Sequence, residues 1–249
     1  DPESCARIIR DVVPSGIVNA AAWTAVDAAE DHREAVQLIN AVSPGVMARE
    51  ASRLEIPFLH ISTDYVFDGS GSTPFSPEDV PRPKSVYGQT KREGELSVEA
   101  AGGVSAILRT SWVFSAHGSN FVKTMLRLSE TRDHLSVVGD QTGGPTPARD
   151  IAKACVVVLE GLAKDPASAG TYHFSGAPDV SWAEFAREIF RQAGRSVQIE
   201  DIPTAQFPTP APRPANSRLN CTATQSVFRL DRPNWKAGLK EVLERLKIR

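Results

Sequence analysis

The stretch Ile56-Pro57-Phe58-Leu59-His60-Ile61-Ser62-Thr63-Asp64-Tyr65-Val66-Phe67-Asp68-Gly69 starts as an apolar run and turns polar. Its first part, "IPFLHIS" (56–62), has the length and near-continuous apolar character of a strand buried on both faces. Two hydroxyls and a carboxylate, Ser62, Thr63 and Asp64, then precede a loop rich in Gly and Pro. In open α/β sheets ligands bind outside the carboxyl ends of the strands. A buried strand that ends in polar groups therefore predicts a cleft at that end.

The flanking chain supports a parallel sheet. "SGIVNAAA" (15–22) reads as a strand ending in small residues, and 31–54 as a helix interrupted near Pro44. Residues 84–101 read as a helix beginning near "SVYGQTKREGEL", and "VSAILRTSWVF" (104–114) as a third strand. Helix "NFVKTMLRLSE" (120–130), strand "LSVVG" (135–139), helix "PARDIAKACVVVLEGLA" (147–163) and strand "GTYHFSG" (170–176) follow. Strands alternating with helices of this length imply βαβ units. After residue 176 the texture changes. "SWAEFAREIFRQAG" (181–194) is a helix with a capping box from Ser181 and Glu184. In "FPTPAPRPANSRL" (207–219) prolines exclude regular structure, leaving a linker or a fixed loop lining a cleft. "NWKAGLKEVLERLK" (234–247) is a final helix.

The bulk numbers exclude several classes. The 249 residues, 41% hydrophobic, suffice for one large domain or a domain with an appended lobe. A net charge of -2 leaves no electrostatic footprint for nucleic acid or an anionic membrane. No apolar run approaches a transmembrane helix, and no signal core follows a charged start. Cys5, Cys155 and Cys221 are far apart and form no CxxC pair, which fits three idle thiols in a reducing cytoplasm. His32, His60, His117, His134 and His173 lack metal-ligand spacing and read as structural or surface residues, so no metal is expected.

A second polar constellation is "YGQTK", Tyr87 to Lys91, at a helix start. The i, i+4 spacing puts both side chains on one helical face. A neighbouring ammonium favours the phenolate and lowers the phenol pKa from about 10. Such a tyrosine can give a proton to a forming alkoxide. Thr63 could hold the oxygen as charge builds on it. YxxxK alone is a weak pattern, and a Thr at a strand end is usually a turn former. The order carries more weight: small strand end, polar strand end, YxxxK at a helix start, then a third strand end, "RTSW" (109–112).

In that order the residues resemble the extended branch of the short-chain dehydrogenases/reductases. Within it, "NAAAWTAVDAAE" (19–30), "HISTDYVFDG" (60–69), "YGQTKREGE" (87–95), "LRTSWVF" (108–114), "NFVKTML" (120–126), "DQTGGPTPARDIA" (140–152), "GTYHFSG" (170–176) and "PAPRPANSRL" (210–219) look like the dTDP-4-dehydrorhamnose reductase family. "STDYVF" and "DQTGGPT" are much more specific than YxxxK. The resemblance implies an α/β fold: a Rossmann-type doubly wound parallel sheet with a smaller C-terminal α/β substrate lobe. The expected division is a partial dinucleotide-binding domain, 1–115 and 147–176, and a substrate-binding lobe, 116–146 and 177–249. The implied chemistry is hydride transfer from NADPH or NADH to the C4 ketone of dTDP-4-dehydro-L-rhamnose. Tyr87 would donate the proton, with Lys91 lowering its pKa and bonding the nicotinamide ribose. Thr63 would orient the ketone oxygen. Ala21, Ala22, Trp23, Thr24 and Ser62, with Tyr87 and Lys91, would meet the cofactor. Thr63, Asp64 and Trp112 would contact the sugar nucleotide. The alternative reading of Trp112 is a core tryptophan at a strand end. Arg213, from its charge and loop placement, could meet a pyrophosphate. Gln141 and Thr146 lie in a family motif without an evident role.

The family opens with a strand, a glycine-rich turn and a helix that binds the cofactor pyrophosphate. No G-x-x-G-x-x-G segment occurs here, and "DPESCARIIRDVV" reads as the helix before the "IVNAAA" strand. About two βαβ units, each of roughly 30 residues, are expected upstream of this chain. Activity of the chain as it stands is then in question. The competing readings are a non-catalytic regulatory relative, like the β subunit of methionine adenosyltransferase, and a nucleotide-sugar epimerase or dehydratase. A homodimer is a further expectation.

Overall fold

A computed structural model describes residues 1–248. The chain begins with α1 (Pro2–Val12), β1 (Ile17–Asn19), α2 (Val26–Ala29), α3 (Arg33–Gln37), a π turn (Leu38–Val42) and α4 (Ser43–Arg53). Next come β2 (Phe58–Thr63), α5 (Val86–Ala100), β3 (Ser105–Thr110), β4 (Val113–Phe114), α6 (Phe121–Leu128), β5 (His134–Val138), β6 (Thr142–Gly143) and β7 (Thr146–Pro147). Then follow α7 (Ala148–Lys164), β8 (Gly170–His173), β9 (Val180–Ser181), α8 (Trp182–Gln192), β10 (Gln198–Ile202), β11 (Asn216–Ser217), α9 (Thr222–Phe228) and α10 (Trp235–Arg245).

The main sheet is parallel, in the order β1-β2-β3-β8. Alternate residues of each strand feed two cores. Phe58 and Ile107 pack with Ala48, Ala51 and Val98 of α4 and α5. Leu59, Ala106 and Leu108 pack with Ala154, Val158 and Phe228 of α7 and α9. Both faces are covered, which is why "IPFLHIS" is apolar almost throughout. The fold is the Rossmann-type α/β arrangement expected. A third core, around Leu135, Val137, Phe185, Ile189, Trp235 and Leu239, lies among α6, α8, α10 and the parallel pair β5–β10. Among the described residues no helix is long and apolar enough to cross a membrane.

Four differences from the sequence reading have physical causes. The helix around Pro44 is not interrupted. Pro44 lacks an N–H for the Asn40 carbonyl, and a π turn absorbs the defect, with the Ser43 N–H bonded to Leu38 O. The third strand stops at Thr110, because Trp112 takes a left-handed φ of 48° and sends Val113–Phe114 to pair with Thr146–Pro147. "LSVVG" does not join the main sheet. Its partner is β10, whose charged "QIEDI" gave no clear strand pattern. The seven-residue α9 follows the proline-rich loop directly and was not expected. The Ser181–Glu184 capping box is present, with both bonds made.

Candidate active site

The site is built where β2 meets the start of α5. Past Thr63 the chain makes one tight turn, Asp64–Val66, closed by the Thr63 Oγ1 accepting from Tyr65 N at 3.2 Å. Ser85 caps α5 by accepting from Gly88 N at 3.1 Å. A Cβ on Gly88 would run into the Tyr65 carbonyl, so the first turn of α5 rests directly on the Asp64–Val66 turn. That close approach places Tyr87 against the strand end, edge-on to Tyr65 at 5.4 Å between ring centroids.

One helical turn further on, the buried Lys91 Nζ donates to Ile61 O at 2.7 Å and lies 3.2 Å from His60 Nε2. Glu95, the next residue on that face, anchors the helix to the sheet. It accepts from Ser62 Oγ at 2.5 Å and takes a bidentate pair from Arg109, both bonds 2.8 Å. Asn40, in the π turn, accepts from Trp23 N at 2.8 Å and donates to Trp23 O at 3.2 Å and Thr90 Oγ1 at 3.3 Å. The segment after β1 is thereby fixed to α5.

A cavity of about 670 Å³ opens at these strand ends. Of the expected residues, Ala22, Thr24, Ser62, Thr63, Asp64, Tyr87, Lys91 and Trp112 line it together. Ala21 and Trp23 sit in the same segment but off the lining. The Trp23 ring packs on His32 instead, 5.6 Å between centroids. Arg213 also lies off this cavity. Its Nη2 pairs with Asp27 at 2.7 Å, and it lines a separate pocket of about 240 Å³ with Tyr65, Phe67 and Lys84.

Burial sets the electrostatics. Lys91 is pushed down to about 8 by desolvation, against an opposing pull from Glu95. Tyr87 is pushed up to about 12 by burial; the Thr63 hydroxyl opposes the rise and the Asp64 charge adds to it. The expected lowering of the Tyr87 pKa is thus absent in this structure, where burial of the phenol is the largest influence. Asp64 is pushed up to about 6 by desolvation, with Ser217 and Thr63 hydrogen bonds opposing. Its Oδ2 is buried with no partner. The site therefore holds a protonated phenol, a hydroxyl, a cationic or neutral amine and a carboxyl with one free oxygen. Such a set can orient a carbonyl and protonate the alkoxide formed from it.

Trp112 forms the far wall. It stacks on Trp182, 3.5 Å between centroids and 10° between planes. The Trp182 indole N–H donates to Gln141 Oε1 at 3.1 Å, and Gln141 Nε2 donates to Thr204 Oγ1 at 3.0 Å. Thr146 bonds the Gly144 carbonyl at 2.9 Å and accepts from Gly176 N at 3.1 Å. Gln141 and Thr146 are thus supports of the cavity wall. Trp182, Asn19, Asn40 and Glu95 were missed in the sequence. The only available signal was for Glu95, one helical turn beyond Lys91.

A doubly wound parallel sheet, with a hydroxyl at a central strand end facing Tyr-x-x-x-Lys on the next helix, defines an extended short-chain dehydrogenase/reductase. The family model described as "RmlD substrate binding domain" matches residues 1–248, and the chain belongs to that family. It is 43% identical over 244 residues to a protein of Sinorhizobium fredii named dTDP-4-dehydrorhamnose reductase, covering 96% of this chain and 82% of that one. A crystal structure of a dTDP-4-dehydrorhamnose reductase from Clostridium acetobutylicum superposes with a TM-score of 0.92 at 37% identity, covering 99% of this chain and 86% of that one. A dTDP-4-dehydrorhamnose reductase from Bacillus anthracis, solved in complex with NADP, gives 0.89 at 33% identity, covering 98% and 85%.

Proposed function

We infer that this protein reduces the C4 ketone of dTDP-4-dehydro-L-rhamnose to dTDP-L-rhamnose, a precursor of cell-surface polysaccharide, using NADPH or NADH. The observation that carries this reading is the meeting of Thr63, Asp64, Tyr87, Lys91 and Trp112 on one cavity in a member of this family. A dinucleotide fits the residues present: small side chains, Ala20 and Ala22, border the cavity, with Thr24, Ser62, Tyr87 and Lys91 beside them. Those residues, with Ala21 and Trp23 in the same segment, would hold the nicotinamide half. A bound reduced nicotinamide supplies the hydride.

The chain's own groups handle the proton. Tyr87, kept protonated by burial, donates to the C4 oxygen as the ketone becomes an alcohol. Thr63 holds the same oxygen. The charge of Lys91, in its ammonium form, stabilises the phenolate left on Tyr87. Trp112 offers a broad apolar face to the deoxysugar, and Asp64 Oδ2 is a free acceptor for a sugar hydroxyl. Arg213 Nη1 is buried without a partner, which supports a diphosphate contact from the neighbouring pocket. The division into 1–115 with 147–176 and 116–146 with 177–249 belongs to the same reading, as do a cytoplasmic location and a homodimer.

The test follows NADPH absorbance in the full natural protein after addition of dTDP-4-dehydro-L-rhamnose. Stoichiometric oxidation is expected, with a drop in kcat of about 10²–10⁴ in Tyr87→Phe. An epimerase or dehydratase would turn the sugar over without net consumption of NADPH. A regulatory relative would bind NADPH and turn nothing over.

A further inference from the structure

Asn19, His60 and Lys91 form a buried polar line across β1, β2 and α5. Its hydrogen-bond directions can be read from one end. The Ala21 backbone N–H can only donate, and it lies 3.2 Å from Asn19 Oδ1. That fixes the amide, so Asn19 Nδ2 faces His60 Nδ1 at 3.0 Å. An amide nitrogen donates, so His60 Nδ1 accepts and the ring proton sits on Nε2. Nε2 in turn lies 3.2 Å from Lys91 Nζ, whose other bond goes to Ile61 O. An N–H on Nε2 needs a lone pair opposite it, and only the uncharged amine has one. An ammonium on Lys91 needs the reverse arrangement. Nε2 must accept, the ring proton must sit on Nδ1, the Asn19 amide must turn over, and the Ala21 N–H must be released.

We propose that Asn19 and His60 are a two-position switch that couples the protonation of Lys91 to the backbone of the Ala20–Thr24 segment. With Ala21 N–H bound to Asn19, Lys91 is an amine. With Ala21 N–H free, Lys91 is an ammonium. The change takes up one proton from solvent: Lys91 gains a proton, and that of the imidazole moves from Nε2 to Nδ1. The ring stays neutral in both positions. Its burial, and then the nearby Lys91 charge, hold His60 well below its ordinary pKa.

The surroundings leave this line in control. Lys91 is faced by His60 from β2 and by Tyr87 and Glu95 from its own helix, and Asp64 and Cys155 line the same cavity. Glu95 is already paired to Arg109 of β3, and burial pushes the Cys155 thiol up to about 11. A ligand that accepts from the Ala21 N–H would therefore favour the ammonium, arming Lys91 when that segment is occupied. His60 and Asn19 are positioning residues in this scheme. It rests on the proposed function only in giving Lys91 a role beside Tyr87.

The measurement is ¹⁵N NMR of ring-labelled histidines in the full natural protein, without substrate, from about pH 6 to 10. Its readout is independent of turnover, so it can fail while the reductase assay succeeds, or the reverse. One histidine is expected to stay neutral throughout and to exchange its protonated and unprotonated ring nitrogens, with a midpoint near 8. Lys91→Met should hold that ring in one tautomer over the whole range, and His60→Gln should remove the signal. If no histidine in the unmodified protein exchanges tautomer, or if the exchange persists in Lys91→Met, the switch is overturned. The spectrum of the unmodified protein tests the switch even where a variant does not fold.

Discussion

At the scale of single residues, Asp64 is the group most at odds with its surroundings. Its carboxyl is buried, one oxygen has no partner, and its pKa stands at about 6 rather than 3.8. A carboxyl whose folded pKa is raised binds its proton more tightly in the folded state. Its contribution to stability therefore falls as pH rises from 3.8 through about 6, and the full penalty is present at pH 7. At 1.36 kcal/mol per unit the ceiling is about 3 kcal/mol. Asp64→Asn is expected to raise the Tm at pH 7.5, to match the unmodified protein near pH 4, and to weaken sugar-nucleotide binding. An unchanged or lower Tm at pH 7.5 would mean the carboxylate has a partner in solution. Thr63, Tyr87 and Lys91 were legible because their relations are local: a strand end, and two residues four apart on a helix. Asn19, His60 and Trp182 were not. The Asn19–His60 and Trp182–Gln141 bonds each join residues 41 apart along the chain, and a His inside an apolar run looks like any buried residue.

At the scale of elements, α5 sets the geometry, and it does so through two close approaches. A Cβ on Gly88 would strike the Tyr65 carbonyl, and one on Gly94 would strike the Asn40 carbonyl that Pro44 leaves without a helical donor. Gly88→Ala is expected to push the first turn of α5 off the Asp64–Val66 turn and move Tyr87. Overpacking of this kind costs about 1–3 kcal/mol. The enzyme should then lose roughly 10²-fold in kcat, since displacement of about 1 Å has that effect. A Gly88→Ala protein with normal Tm and kcat would show that the contact is not tight. The Glu95–Arg109 pair fastens the same helix. Burial works to raise the Glu95 pKa, but bonds from Arg109, Ser62 and Arg92 hold it below the ordinary value. Glu95→Gln should cost about 3–5 kcal/mol, read as a lower denaturation midpoint, because it leaves the Arg109 charge buried. The long strands and helices were legible from their periodicity. The break at Trp112 and the two-residue strands were not, because each is completed by a partner strand elsewhere in the chain, and the π turn was not, because Pro44 reads as a helix break.

At the scale of the whole molecule, the proline-rich segment 207–219 is fastened to α2 and to the loop after β2. Asp27, on α2, accepts from the Ala211 N–H at 3.2 Å and pairs with Arg213 at 2.7 Å. Further along, Asn216 N donates to Gly69 O at 3.0 Å, and Pro214 lies so close to Gly69 that no Cβ could fit. The segment is thus a fixed strap, the second of the two readings its composition allowed. It holds Arg213 beside Tyr65, at the edge of the site, rather than inside the cavity. Asp27→Ala removes both ties at the α2 end while leaving the cores untouched. A partly exposed ion pair contributes at most about 1 kcal/mol, so the Tm should move little. If the strap positions Arg213 for a diphosphate, the same free energy appears in binding, as a rise in KM of roughly fivefold for the sugar nucleotide. kcat should stay within about twofold, because Thr63, Tyr87 and Lys91 keep their places on β2 and α5. A KM that does not change in Asp27→Ala would show that the diphosphate is held elsewhere, and Arg213 would then be a residue of the strap alone.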